Sequence, residues 1–242
     1  MHPRNPRKVI GERAGMTRRS AGAIALFGGS FDPIHSGHLA VAHAAMEAFR
    51  LDRVIFIPSG VPPHKRRQRL APFVDRFAMV TLACANWPRF VPSAAEAGTD
   101  QQGRKVIYSV DTVRRFRRES RGQYSMLYFI LGADQFLDIS KWRESKTLLG
   151  LANFIVANRP GFRVEKLRSA VPAGLLRAST GSPDADHHRT IQLQRTSVYV
   201  LESVASHVSA TDIRSRVQQG KSVHGLVPPL VEEYIEKQGL YR

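Results

Sequence analysis

GGSFDPIHSGH, running from Gly28 to His38, is the stretch on which the reading of this chain turns. The apolar run Ala23 to Phe27 before it reads as a buried strand, and Leu39 to Phe49 after it has the Ala, Val, Met and Leu content of a helix. Two glycines therefore stand where a strand ends. Glycine lets backbone approach a ligand closely and adopt dihedrals that a Cβ forbids, so Gly28 and Gly29 are expected to set their amides against an anion. Gly37 and His38 open the helix, whose unpaired N–H groups and positive dipole end attract phosphate. His35 and His38, three residues apart, are expected to face one phosphoryl group as hydrogen-bond donors. A glycine pair alone is ordinary turn chemistry, and a single histidine at a helix start is commonly a cap. The ordered set of strand, glycines, histidines and helix points to a nucleotide-phosphate site.

Working outward, short apolar and β-branched runs recur at Ala23 to Phe27, Arg53 to Pro58, Leu127 to Leu131, Asn153 to Ala157 and Ser197 to Leu201. Helical patterns lie between most of them, at Phe73 to Ala85, Val110 to Arg118 and Lys141 to Leu149. Alternating strands and helices predict an α/β fold with a doubly wound parallel sheet, whose ligands bind beyond the carboxyl ends of the strands near a switch in strand order. Three further strand ends carry chemistry. The Arg53 strand runs into Pro62, Pro63, His64 and Lys65, a stiff turn that delivers a cation. The Leu127 strand ends in Gly132, Ala133 and Asp134, where the carboxylate either caps a helix or meets a ligand. The Asn153 strand ends in Asn158, Arg159, Pro160 and Gly161, where Arg159 is either a ligand contact or an exposed turn residue.

Residues 1–21 hold six basic side chains and one acid, with no apolar core of the length a secretory signal requires, and are expected to form a flexible extension. Residues 22–242 are expected to form one domain, with a mobile surface excursion near 170–195 where Pro, Gly, Ser, Asp and His replace periodicity. Order returns with Ser209 and Thr211 ahead of a helix through Val217, and with Pro228 and Pro229 ahead of another that ends near Gly239.

The composition, 43% hydrophobic and 23% charged, is that of a soluble globular protein. No run approaches the roughly eighteen apolar residues of a membrane span, so the expectation is a cytoplasmic protein without a membrane partner. The lone Cys84 sits in the apolar pattern Phe77, Val80, Leu82, Ala83 and reads as core. His187 and His188 lack the spacing of a zinc site, and no protein metal site is expected. A formal charge of +16 favours a polyanionic partner. The clusters Lys65 to Arg69 and Arg114 to Arg121 nevertheless lack the interleaved aromatics of a single-strand binding platform, which argues against nucleic acid. The number of subunits is left open.

With these pieces in order, the chain resembles the HxGH nucleotidyltransferase superfamily, and within it most closely the bacterial nicotinate-nucleotide adenylyltransferases. The likeness runs from about Ala23 to Tyr241. Gly28 to His38 looks like the first family signature, with Ser30 where Thr is common. Val208 to Arg214 looks like the second, with Ala210 in place of a frequent Ser. Pro62 to Lys65, Tyr108 to Thr112, Leu131 to Asp134 with Trp142 beyond, and Asn158 to Gly161 resemble the nicotinate branch, Ser109 standing where Thr is usual.

The resemblance implies a Rossmann-like sheet with a C-terminal helical part. It implies adenylyl transfer from ATP to nicotinic acid mononucleotide, with magnesium carried on the ATP phosphates. Catalysis would fall to His35, His38, Lys65 and Arg214. ATP would be held by Phe27, Gly28, Gly29, Ser30, Phe31, Gly37, Gly132, Asp134, Ser209 and Thr211. The mononucleotide would be held by Tyr108, Ser109, Trp142, Arg143 and Arg159. For Trp142, stacking on the pyridine competes with a place in the core.

Overall fold

The computed structural model describes residues 22–60, 70–97, 107–119, 123–158, 164–177, 190–201 and 208–242. Seven strands form one sheet: β1 (Gly22–Gly29), β2 (Arg53–Pro58), β3 (Phe90–Pro92), β4 (Tyr124–Gly132), β5 (Asn153–Ala157), β6 (Thr190–Gln192) and β7 (Ser197–Leu201). Their order is β3-β2-β1-β4-β5-β7-β6, parallel throughout except for the final β6–β7 pair. The chain winds from β1 outward through β2 to β3, then returns to the other side of β1 as β4. That reversal puts the crevice of this Rossmann-like α/β sheet between the carboxyl ends of β1 and β4, where Gly28 and Gly29 end β1 and Gly132 ends β4.

Strand side chains alternate between two cores, as a period of two dictates for a sheet covered on both faces. Ala25 and Phe27 of β1, Val54 and Phe56 of β2, and Tyr128 and Ile130 of β4 pack on one face. They meet Ala42 and Ala45 of α1 (Ser36–Ala48), Met79, Val80 and Ala83 of α2 (Phe73–Cys84), and residues of the C-terminal helices. Leu26, Ile57, Phe129, Leu131 and Phe154 take the other face. Their partners are Val110 and Val113 of α3 (Ser109–Glu119), Phe136 of α4 (Ala133–Leu137), Leu148 and Leu149 of α5 (Ser145–Leu149), and Leu167 of α6 (Val164–Ala170). The last two helices, α7 (Ala210–Gln218) and α8 (Pro229–Gln238), send Ile213, Val231 and Ile235 into the first core. Cys84 is buried there, and burial pushes its thiol up to about 12, which makes it packing rather than chemistry.

One local expectation is corrected, and two stretches show structure beyond what was expected. The helix expected over Lys141 to Leu149 is interrupted: a 3-10 turn, Ile139–Lys141, gives way to extended backbone at Trp142 and a left-handed Glu144 before α5 begins. The region near 170–195 holds structure at both ends, a 3-10 turn at Ala173–Leu175, a bridge between Leu176 and Leu193, and β6 pairing with β7. Strand β3 was also not apparent in the sequence. Three residues are too few for alternation to show, and β3 and β6 owe their conformation to the neighbour they pair with. No helix among the described residues is long and apolar enough to cross a membrane.

Candidate active site

At the end of β1 the two glycines take ordinary negative φ, so their role is space rather than unusual dihedrals. A Cβ on Gly29 would stand 3.0 Å from Cζ of Phe31, and one on Gly28 would stand 3.1 Å from Cζ of Phe129. Each ring supports another. Phe31, in the left-handed region at φ 46°, packs edge-on to His38 with centroids 5.0 Å apart. Phe129 packs edge-on to Trp142 at 6.5 Å. Adjacent glycines thus make room for two phenylalanines that carry two site rings. The Phe27 and Phe31 side chains, expected in the ATP set, are buried at 6% and 1% exposure, so only their backbone is available to a nucleotide.

On the α1 side, His35 and His38 stack with centroids 3.7 Å apart. The His35 N–H donates to Nδ1 of His38 at 3.3 Å, which places the proton of a neutral His38 ring on Nε2 and makes that atom the donor. His35 is buried, which lowers its pKa to about 4 and keeps it neutral at physiological pH, and its Nδ1 has no hydrogen-bond partner. Gly37 lies in the first turn of α1, buried beneath this pair.

Arg214 reaches the same turn from α7: its Nη1 donates to the Asp32 carbonyl at 2.7 Å and its Nη2 to Thr211 Oγ1 at 3.3 Å. Ser209 caps α7, its hydroxyl accepting from the Asp212 N–H at 3.1 Å. Both hydroxyls expected on the phosphates therefore also hold this helix and its arginine in place.

On the other side of the glycines lies a cavity of about 330 Å³ lined by Gly28, Gly29, Ser30, Tyr108, Ser109, Asp134, Trp142 and Arg143, among others. Four of the five residues expected to hold the mononucleotide meet here beside the diglycine. Trp142 is half-buried, packs at right angles to Phe129 and lines the cavity. The Arg143 guanidinium lies 4.7 Å over the Tyr108 ring. Asp134 is exposed in the first turn of α4, and the cap of that helix is Gly132 instead, which removes the capping alternative. Lys65 and Arg159 lie outside the described residues. A larger hollow of about 710 Å³ opens at the opposite, amino-terminal edge of the sheet, lined by Arg114, Arg117, Arg118 and Arg195. Size alone would favour it, but none of the expected groups is there.

Three acids and bases escaped the sequence reading. Asp32 is buried at 1% exposure, and its Oδ1 accepts from the Ala71 N–H at 3.1 Å and the Tyr241 hydroxyl at 2.8 Å. Burial and that carboxylate hold the Tyr241 phenol well above its ordinary value. Arg76, at 2% exposure, donates to the carbonyls of Ala71, Ser30, Ser59 and Gly60 at 2.8 to 3.1 Å, tying the ends of β1 and β2 together. A charge on the apolar face formed with Met79, Val80 and Ala83 was the signal for it. Glu96, buried at 8% exposure, lines the cavity and accepts from Thr112 Oγ1 at 2.7 Å. Among the described residues no three His, Cys, Asp or Glu side chains converge to hold a metal ion.

A parallel sheet that sets paired imidazoles, an arginine and a helix start beside a cleft at its switch point defines a nucleotidyltransferase, and residues 26–216 match the cytidylyltransferase-like family, to which this chain belongs. It is 42% identical over 91% of its length, and 92% of the relative's, to a protein of Moorella thermoacetica named a probable nicotinate-nucleotide adenylyltransferase. A protein of the same name from Citrifermentans bemidjiense is 39% identical over 90% of this chain and 97% of its own. Within the larger family the chain is a member of the nicotinate-nucleotide adenylyltransferases. Its fold is shared by the Plasmodium falciparum nicotinic acid mononucleotide adenylyltransferase solved in complex with NaAD, at a TM-score of 0.65 and 18% identity over 91% of this chain and 97% of that one. The same enzyme complexed with APC gives a TM-score of 0.64 at the same identity and coverage.

Proposed function

We propose that this protein transfers the adenylyl group of ATP to nicotinic acid mononucleotide, forming nicotinic acid adenine dinucleotide and pyrophosphate. The observation that carries this reading is the convergence of Tyr108, Ser109, Trp142 and Arg143 on one cavity wall with Gly28 and Gly29. A phosphate oxygen of the mononucleotide attacks the α-phosphorus of ATP, and the bond from that phosphorus to the bridging oxygen of pyrophosphate breaks. The attacking group is already anionic, so alignment and neutralisation of developing charge remain for the protein to supply.

His38, its proton placed on Nε2 by the His35 amide, donates to an α-phosphoryl oxygen. His35, held neutral by burial, adds hydrogen bonding rather than charge. Arg214 supplies fixed positive charge from a guanidinium already anchored on Asp32, and Ser209 and Thr211 bring the start of α7 to the β- and γ-phosphates. Lys65 and Arg159 are assigned to the phosphate path and the mononucleotide from the sequence. Trp142 stacks on the pyridine, amides near Ser109 take its carboxylate, and Asp134 meets a ribose hydroxyl.

Magnesium carried on the ATP phosphates would neutralise part of the triphosphate charge, beside Arg214 and the start of α7. The substrates, ATP and a pyridine mononucleotide, support a cytoplasmic place for the activity. Pyrophosphate release from ATP and magnesium, with nicotinic acid mononucleotide, nicotinamide mononucleotide or phosphopantetheine as acceptor, tests the reading. Turnover is expected to be highest with the first; turnover with phosphopantetheine alone overturns it.

A further inference from the structure

We propose that Glu96 is a specificity-determining residue, its carboxyl setting how strongly the cavity prefers an anionic ring substituent on the mononucleotide over a neutral one. This rests on the proposed function and asks how the same cavity tells a pyridine acid from its amide.

Glu96 sits in the turn after β3, closed by the Ala97 N–H on the Ala94 carbonyl at 2.9 Å. It reaches the cavity wall beside Ser59, Tyr108, Ser109 and Trp142. Its Oε1 accepts from Thr112 Oγ1, one turn into α3, and the carboxyl also accepts from the Gly60 amide beyond β2. Glu96 therefore braces two walls of the cavity, the α3 start and the end of β2. Both donors are neutral, and no cation pairs with it among the described residues. Burial outweighs the two bonds and pushes its pKa up to about 7.

Among the described residues, the other charged or titratable groups facing this space are few. Tyr108 comes from the start of α3, and Asp111 on that helix is turned to Arg114. Asp134 and Asp138 come from α4 and its end, while Lys141 and Arg143 come from the turn beyond. Lys141 is engaged by Asp138 at 2.6 Å, and Arg143 lies over Tyr108. The described ends of β1 and β2, Ser30 and Ser59, bring no charge.

Two carboxylates in one poorly hydrated space repel, so an ionised Glu96 opposes a pyridine carboxylate, whereas a protonated Glu96 does not and can donate to it. A pyridine carboxamide carries no charge and is indifferent to the difference. Preference for the acid over the amide is therefore greatest when Glu96 is protonated and falls as pH rises through about 7.

The test measures KM for nicotinic acid mononucleotide and for nicotinamide mononucleotide at saturating ATP and magnesium, from about pH 6 to about pH 8.5, in the wild type and in Glu96→Gln. An inhibition constant replaces KM if the amide is not turned over. Both mononucleotides carry the same titrating phosphate, so the ratio of their constants isolates the ring substituent. In the wild type that ratio is expected to shift against the acid by about tenfold across the range, and in Glu96→Gln to stay flat.

A flat ratio in the wild type overturns the proposal, as does an equal slope in both proteins. A bracing role alone would raise both constants together in Glu96→Gln and leave the slope of the ratio in place, which also counts against it. If the variant does not fold, the wild-type slope still decides. Failure to turn over either mononucleotide at any pH strikes the proposed function instead, and turnover with a flat ratio strikes only Glu96.

Discussion

Gly28 and Gly29 are neighbours in sequence, yet the missing Cβ of each serves a different half of the site. Gly29 makes room for Phe31, which backs His38; Gly28 makes room for Phe129, which backs Trp142. The half assigned to the phosphates is internally bonded, with His35 on His38, Arg214 on Asp32 and Ser209 on its own helix. The half assigned to the pyridine is a cavity of about 330 Å³ walled by rings and short turns. Rigid donors suit a triphosphate, whose charge is the same in every nucleotidyl transfer, and an open, ring-lined slot suits the partner that distinguishes one such enzyme from another.

The contrast breaks most directly at His38. Its replacement by Ala is expected to lower kcat by about two to three orders of magnitude with both KM values little changed, as loss of one preorganised donor does elsewhere. Steady-state pyrophosphate release reads this, and near-normal turnover would show that the phosphate half does not depend on that imidazole.

Next come the glycines themselves. Gly28→Ala and Gly29→Ala each overpack a buried ring and are expected to cost about 1–3 kcal/mol in denaturant unfolding. Their kinetic signatures should diverge, Gly29→Ala falling mainly in kcat and Gly28→Ala rising mainly in KM for the mononucleotide. Identical signatures would dissolve the division drawn between the two halves.

A smaller effect is expected of Trp142→Ala, with KM for the mononucleotide up by about tenfold, near the upper range for an aromatic pair, and KM for ATP unmoved. An equal rise for both substrates would return Trp142 to a packing role.

The smallest expected effect is on the pH dependence of stability, because two buried groups oppose one another. His35 has its pKa lowered from 6.5 to about 4, so the unfolded chain binds more protons in that window and stability is lost as pH falls through it. Glu96 has its pKa raised from 4.5 to about 7, so the native protein binds more protons there and stability is lost as pH rises. The contributions of His35 and Glu96 to wild-type stability should therefore offset one another between about 4.5 and 6.5, where the windows overlap. Glu96→Gln should gain on the wild type as pH rises from 4.5 to 7, measured by denaturant midpoints; a constant difference would mean Glu96 does not titrate in that range.

How much of this could be read beforehand differs between the halves. Most of the half assigned to the phosphates is local: strand, glycines, histidines and helix follow within residues 22–48, so periodicity and turn chemistry suffice there, whereas the roles of Ser209, Thr211 and Arg214 on α7 came through family resemblance. The pyridine half is assembled from α3, the turn after α4 and the glycines, and Tyr108, Trp142 and Arg143 came into view through family resemblance rather than spacing. Trp142 also sat in an expected helix that the chain breaks, and the break leaves its indole at the cavity. Arg76 left a trace as a charge on an apolar face. Glu96, in an aperiodic stretch of alanines, left none, because its burial exists only once Thr112 and Gly60 close over it.

The Arg76 guanidinium grips Gly60 on one side of an interval of the chain and Ala71 on the other, and holds the Ser30 carbonyl at the same time. Both stems of that interval are thereby fastened to the catalytic turn by a single side chain. Removing the guanidinium would leave four carbonyls without this donor at once, a larger penalty than truncating a single hydrogen bond. One buried charge is thus a shared fastening, and the turn after β1, the end of β2 and the approach to α2 keep or lose their places together.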